Sequence, residues 1–154
     1  MKHFLLALLL GLGLMGCMGG GTHGSIKCYI YPTSKKELEK AVHHVILENS
    51  LIIQDTVKDY YNDDTNYISM SILIDGLPYT YTLKFGGSSQ YWDTSKQASV
   101  FIAYAHDTKG HGGSSGNGGV KWYNFGLKKR LTEPFEKEFV NKIDSALGVK
   151  HTEE

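Results

Sequence analysis

The sequence predicts an α+β fold. It is an antiparallel sheet of about five strands covered on one face by two helices, in the order strand, helix, four strands, helix. Three observations lead there. Two segments repeat apolar residues at helical spacing along a single arc, so each needs a layer to bury that arc against. Between them lie runs that alternate with the period of a strand. Turn residues join those runs closely, and strands joined by tight turns pair antiparallel.

The first strand is Ile26-Lys27-Cys28-Tyr29-Ile30-Tyr31, with Ile26, Cys28 and Ile30 on its apolar side and Lys27, Tyr29 and Tyr31 opposite. Pro32 stops it. Ser34-Lys35-Lys36-Glu37 reads as a capping box, in which Ser34 accepts from a free N–H of the first turn and Glu37 reaches back. Leu38, Ala41, Val42, Val45 and Ile46 then share one arc, so helix one runs from about Lys35 to Glu48. Leu51-Ile52-Ile53 begins a short strand or docks as an apolar loop, and Asp59 to Asn66 is a Tyr, Asn and Asp rich turn region.

Ile68, Met70, Ile72 and Ile74 alternate with Ser69, Ser71 and Leu73; Asp75-Gly76 is a hairpin turn signal; Tyr79, Tyr81, Leu83 and Phe85 alternate with polar neighbours. In the next run Ala98, Val100, Ile102 and Tyr104 oppose Ser99, Phe101, Ala103 and Ala105, the two-sided pattern of a central strand. Gly110 to Gly119 has six glycines in ten residues and reads as a mobile loop. Val120 to Leu127 is read as the last strand. Thr132 then caps helix two, with Pro134 in its first turn and Phe135, Phe139, Val140, Ile143, Ala146 and Leu147 on its apolar face. Gly148 ends it.

The start of the chain has a different character. Met1-Lys2-His3 is charged, Phe4 to Leu14 is apolar apart from Gly11 and Gly13, and a small residue, Gly16, precedes Cys17. The apolar run is shorter than the about 20 residues that span a bilayer, and this layout is that of a secretory signal. Leu14-Met15-Gly16-Cys17 resembles the lipobox of bacterial lipoproteins, with Leu14, Gly16 and Cys17 in the matching positions. The resemblance implies cleavage after Gly16 and a thioether-linked diacylglycerol on Cys17, usually with a further acyl chain on the new amine. Two or more chains anchor stably. It divides the chain into a signal peptide at 1–16, a lipidated Cys17 and Gly-rich tether at 17–25, one α+β domain at 26–148 and a polar tail at 149–154. Met18 to His23 has no acidic residue, which by known sorting rules implies an outer membrane, facing the periplasm. The body is also similar to small lipoproteins of bacterial envelopes. The similarity lies in Tyr31-Pro32 before the capped helix, the Gly-Gly-Ser-Ser-Gly-Asn-Gly run at 112–118, and Phe135-Glu136 with Lys142-Ile143-Asp144.

Composition limits function. Cleavage leaves 138 of the 154 residues, and Lys2 is the one basic residue lost from a chain with 16 basic and 16 acidic groups. A nearly neutral chain argues against nucleic acid or an anionic lipid surface as partner. With Cys17 lipidated, Cys28 has no cysteine left to pair with, and it reads as a small core residue.

Candidate chemistry is sparse. His106, Asp107 and His111 sit at a strand end beside the Gly-rich loop and could furnish zinc ligands. Their spacing matches no standard site, and the plainer reading is a polar hairpin mouth. His43 and His44 are helix neighbours about 100° apart and cannot share a metal as a helical pair can. The glycines of 110–119 lack the following helix and Lys-Ser of a phosphate loop. Asp59, Asp63 and Asp64 lack calcium-loop spacing. Ser88, Ser89, Ser114 and Ser115 lie in no Gly-x-Ser-x-Gly. Tyr60, Tyr61, Tyr79, Tyr81, Tyr91 and Trp92 form either an aromatic platform or ordinary sheet packing. The expectation is therefore a lipid-anchored envelope module without a cofactor, non-catalytic, that binds protein or glycan. The alternative is a metal-assisted hydrolase using His106, Asp107 and His111.

Overall fold

The structure, a computed structural model, describes residues 25–54, 67–87, 94–115 and 119–153. Its strands are β1 (Lys27–Tyr31), β2 (Ile52–Gln54), β3 (Tyr67–Ile74), β4 (Leu77–Phe85), β5 (Ala98–His106), β6 (Gly112–Ser114) and β7 (Thr152–Glu153). Helix α1 (Lys35–Glu48) follows β1. A second, continuous helical run comprises α2 (Phe125–Phe135), a π-helical turn (Glu136–Val140) and α3 (Asn141–Leu147). The fold is α+β, with both helical runs on one face of an open antiparallel sheet ordered β2-β3-β4-β5-β1-β7. Four of the five expected strands are present, and three short ones, β2, β6 and β7, bring the count among the described residues to seven.

Helix α1 begins and ends where its caps place it. The Ser34 hydroxyl accepts from the Glu37 N–H at 3.3 Å, while the Glu37 carboxylate turns to Lys40, 3.1 Å away, rather than back to the cap. Leu38, Val42, Val45 and Ile46 are buried. The β3–β4 hairpin turns on Asp75 and Gly76, both at positive φ (52° and 77°), the conformation that a two-residue hairpin demands. Ile68, Met70 and Ile72 of β3, and Tyr81, Leu83 and Phe85 of β4, are buried as the alternation requires.

Three readings are corrected. In β1 the residues that face the helices are Tyr29 and Tyr31, while Cys28 and Ile30 join Phe101 and Ala103 in a smaller cluster on the opposite face. A tyrosine supplies more apolar surface than its hydroxyl suggests, and both sides of this central strand are buried. In β5 a bulge lies where Thr82 pairs with Tyr104 and Leu83 with Ile102. The extra residue switches the alternation, so Ala105 rather than Tyr104 enters the main core.

The third concerns 120–134. There is no long strand at Val120–Leu127. Helix α2 starts at Phe125, because the Asn124 side chain accepts from the Leu127 N–H at 3.1 Å. Thr132 is thus interior, and Pro134 lies inside the helix. Proline removes an N–H and crowds the preceding turn, and the π-turn begins two residues later. Leu131, Phe135, Phe139 and Ile143, all fully buried, recur every four residues. An α-helix rotates about 40° too far over four residues. The wider turn removes part of that drift and keeps the stripe on the sheet. Phe135 packs against Tyr29, Tyr81 and Phe139 with ring centroids 5.7, 5.0 and 5.1 Å away.

Two segments read as loose are paired. Gly112–Ser114 is strand β6, which continues the β1 column along β5. Gly112 has φ 153°, and a Cβ there would overlap the Ala105 carbonyl. The polar tail carries β7, whose Glu153 and Thr152 pair with Tyr29 and Ile30. Gly148 ends α3 at φ 67°, as its position predicts.

Candidate functional site

Asp107 follows β5 directly and is buried, its side chain 5% exposed. Its Oδ1 accepts from the backbone N–H groups of Lys109 and His111, both at 2.9 Å. Its Oδ2 lies 3.2 Å from His111 Nδ1 and 3.0 Å from Arg130 Nη2 on α2. Burial by itself would raise this carboxyl's pKa. The His111 and Lys109 amides, together with the His111 side chain, outweigh burial and hold it down to about 2. The Asp107 N–H also donates to the His111 carbonyl. The carboxylate is the hub of a closed five-residue turn and pins that turn to the last helix.

Of the three residues read as possible metal ligands, the structure brings two together. His111 meets Asp107, but His106 belongs to β5, where it pairs with Thr80 and Gly112. Both Asp107 oxygens are engaged within the protein. Among the described residues no three His, Cys, Asp or Glu side chains form a group that could hold a metal. The sequence reading missed Arg130, since nothing local links a helix arginine to a loop 23 positions earlier.

The most distinctive surface lies between buried Val120 and buried Leu131. Trp122, Tyr123 and Phe125 are exposed by 81, 55 and 71%. Their backbone is fixed. The Asn124 N–H donates to the Lys121 carbonyl at 2.9 Å, closing a turn, and the Asn124 side chain caps α2. Trp122 and Tyr123 meet edge to face at 5.6 Å, and the Lys121 ammonium lies 5.6 Å from the centre of the Tyr123 ring. The three rings make an exposed apolar patch on the surface. Reading this stretch as a strand hid it. The usable signal was Asn124 followed by Leu127, Leu131, Phe135 and Phe139 at intervals of four.

A second polar cluster closes the sheet edge. Lys27 Nζ lies 2.6 Å from Glu136 and 3.0 Å from Glu153, and the Tyr29 hydroxyl donates to Glu136 at 3.1 Å. His151 Nδ1 is 3.0 Å from Asp144, and its ring meets Tyr29 edge-on at 5.4 Å. Burial, then the Glu136 charge, push the Tyr29 hydroxyl far up. Burial and the nearby Asp144 carboxylate do the same to the enclosed Tyr31 hydroxyl. The cluster fastens β7 and the π-turn to β1.

The remaining candidates separate. His43 and His44 are both exposed on α1. Ser114 is in β6, and Ser115 bridges to Val120. Tyr81 is buried and donates to the Leu131 carbonyl at 2.9 Å, so it belongs to the core, and Tyr79 is partly buried. Cys28 is buried, beside Ile30, Phe101 and Ala103 in the smaller cluster. Cys17, Tyr60, Tyr61, Tyr91, Trp92, Ser88, Ser89, Asp59, Asp63 and Asp64 lie outside the described residues. No helix among the described residues is long and apolar enough to cross a membrane. Comparison with protein-family models, curated proteins and solved structures finds no match.

Proposed function

We propose that this chain is a lipoprotein of the bacterial envelope, anchored through Cys17, whose domain is a non-catalytic binding module. Its place is the outer membrane, facing the periplasm. The observation that carries the binding role is the arc of Trp122, Tyr123 and Phe125, held outward on a turn fixed at both ends. Large rings on a fixed backbone lose little conformational freedom on contact, and such residues carry much of the energy of recognition. The metal-assisted alternative gains no support from geometry, because His106 does not join Asp107 and His111.

The test is photo-crosslinking in the native envelope, from position 122 and, as a control, from exposed Lys36 on α1. The binding reading predicts a defined envelope component, identified by mass spectrometry, captured from 122 and not from 36. Equal capture from both, or none from 122, removes the arc as the binding surface.

A further inference from the structure

The arc does not stand alone at its end of the molecule. Strand β1 begins opposite Ile102, and the Ile26 N–H donates to the Ile102 carbonyl. From there β5 runs on to His106, and β6 takes over the β1 column, with Ser114 opposite Tyr104. The Val120 N–H donates to Ser114, so the arc starts beside the place where the N-terminal segment enters the sheet. The β3–β4 hairpin turns at this same end, since Thr80 pairs with His106 and Leu77 precedes it. Leu77 is 55% exposed.

Charge is sorted in the same way. From Thr108 to Thr132 the sequence has no acidic residue, and it has Lys109, Lys121, Lys128, Lys129 and Arg130. Arg130 is taken by Asp107, and Lys129 pairs with Glu133 at 3.4 Å on the surface, where such a pair is weak. Among the described residues Lys121 and Lys128 have no acidic partner. The near-neutral total therefore conceals a basic stretch around the arc, with Asp75 of the hairpin an exposed acidic group at the same end. A surface meets the charge that faces it within a Debye length, not the sum over the chain.

We propose that this end docks on a phospholipid bilayer, with Trp122, Tyr123 and Phe125 entering the headgroup–acyl boundary and Lys121 and Lys128 meeting lipid phosphates. Tryptophan and tyrosine favour that boundary because their rings are apolar and their edges polar, and basic side chains beside them are drawn to anionic headgroups. A glycan fits less well. Sugar hydroxyls are commonly held by carboxylate or amide partners beside the rings, and Asn124, the amide next to them among the described residues, is occupied in capping α2. A tether that leaves the sheet at this end would also keep the arc turned toward the membrane holding Cys17. The inference rests on the proposed binding role of the arc, but not on the lipid.

The experiment uses the mature chain from residue 17 with Cys17→Ser, sedimented with vesicles of phosphatidylethanolamine and phosphatidylglycerol. Binding is expected, and it should weaken at least tenfold in Trp122→Ala/Phe125→Ala and in Lys121→Glu/Lys128→Glu. It should also weaken with salt and on pure phosphatidylcholine. Leu47→Ala, at an 81% exposed site on α1, should bind as the parent does. The lipidated protein supplies a second measurement in a Trp92→Phe background. Brominated lipids in its own vesicles should quench Trp122. No vesicle binding and no quenching overturn the lipid inference, as does equal loss in Leu47→Ala. If crosslinking from 122 still captures an envelope protein or glycan, the binding module stands with that partner. If it captures nothing, both readings fall.

Discussion

Arg130 approaches Asp107 to 3.0 Å, so the loop that ends β5 and the helix that covers the sheet share one charge. The same carboxylate holds the Lys109 and His111 amides. Removing it loosens the turn and unseats the guanidinium together.

Asp107→Asn should lower the melting temperature by several degrees at pH 6, since the amide keeps the shape but loses the charge and one acceptor. The pH dependence follows from the depressed pKa, about 2 in the folded chain against 3.8 unperturbed. A depressed carboxylate contributes stability that is full above the unfolded value and is lost as pH falls through the folded one. The gap between parent and variant should therefore be constant above pH 5, narrow below pH 4 and be nearly gone only below pH 2. Thermal melts across that range check it, and a gap unchanged at pH 2 would contradict the charge argument.

Burial separates two aromatic residues that lie at opposite ends of α2. Phe139 is fully enclosed, and Phe139→Ala should cost about 3–5 kcal/mol, a large share of a domain's ~5–15. Trp122→Ala, at an exposed site, should change stability by less than about 0.5 kcal/mol. Urea denaturation of both variants tests the pair, and comparable losses would mean that Trp122 has a packing role.

Ending the chain at Lys150 removes β7 and His151 together. The free edge of β1 would then offer unpaired N–H and C=O groups, and Lys27 would keep Glu136 but lose Glu153. A lower melting temperature and concentration-dependent association in size-exclusion chromatography are expected. A monomer of unchanged stability would show that the last strand is dispensable.

The lipid proposed on Cys17 can be weighed directly. Mass spectrometry of protein extracted from membranes should find the lipid mass on the peptide that begins at Cys17. An N-terminus that starts at Cys17 without acyl chains, or a chain that still carries residues 1–16, would remove the anchor.

Where local chemistry decides, the sequence was readable. Ser34 starts α1, Asp75-Gly76 turns the hairpin and Gly148 stops α3 with no help from distant residues. Elsewhere local patterns compete. Val120, Trp122 and Tyr123 look like strand material, yet the Asn124 cap and the four-residue spacing beyond it belong to a helix. The faces of β1 and the second half of β5 depend on burial from both sides and on a bulge, neither of which periodicity reveals. The Asp107–His111 turn could be suspected from its spacing. Arg130, Glu136 and the pairing of β7 could not, because each is a contact between distant stretches that leaves no mark on its own neighbourhood.

The place of β7 has a consequence for the order of folding. Strand β1 is the first described strand to be synthesised, and its neighbours come from residues 98–102 and from β7, where Tyr29 meets Glu153. Contacts so distant in sequence form late, because a long loop must close before they are rewarded. A chain still emerging from the ribosome can build α1 and the β3–β4 hairpin, but not the sheet around β1. Until residues 98–102 and β7 have both been made, the two edges of β1 stay unpaired and open to other strands.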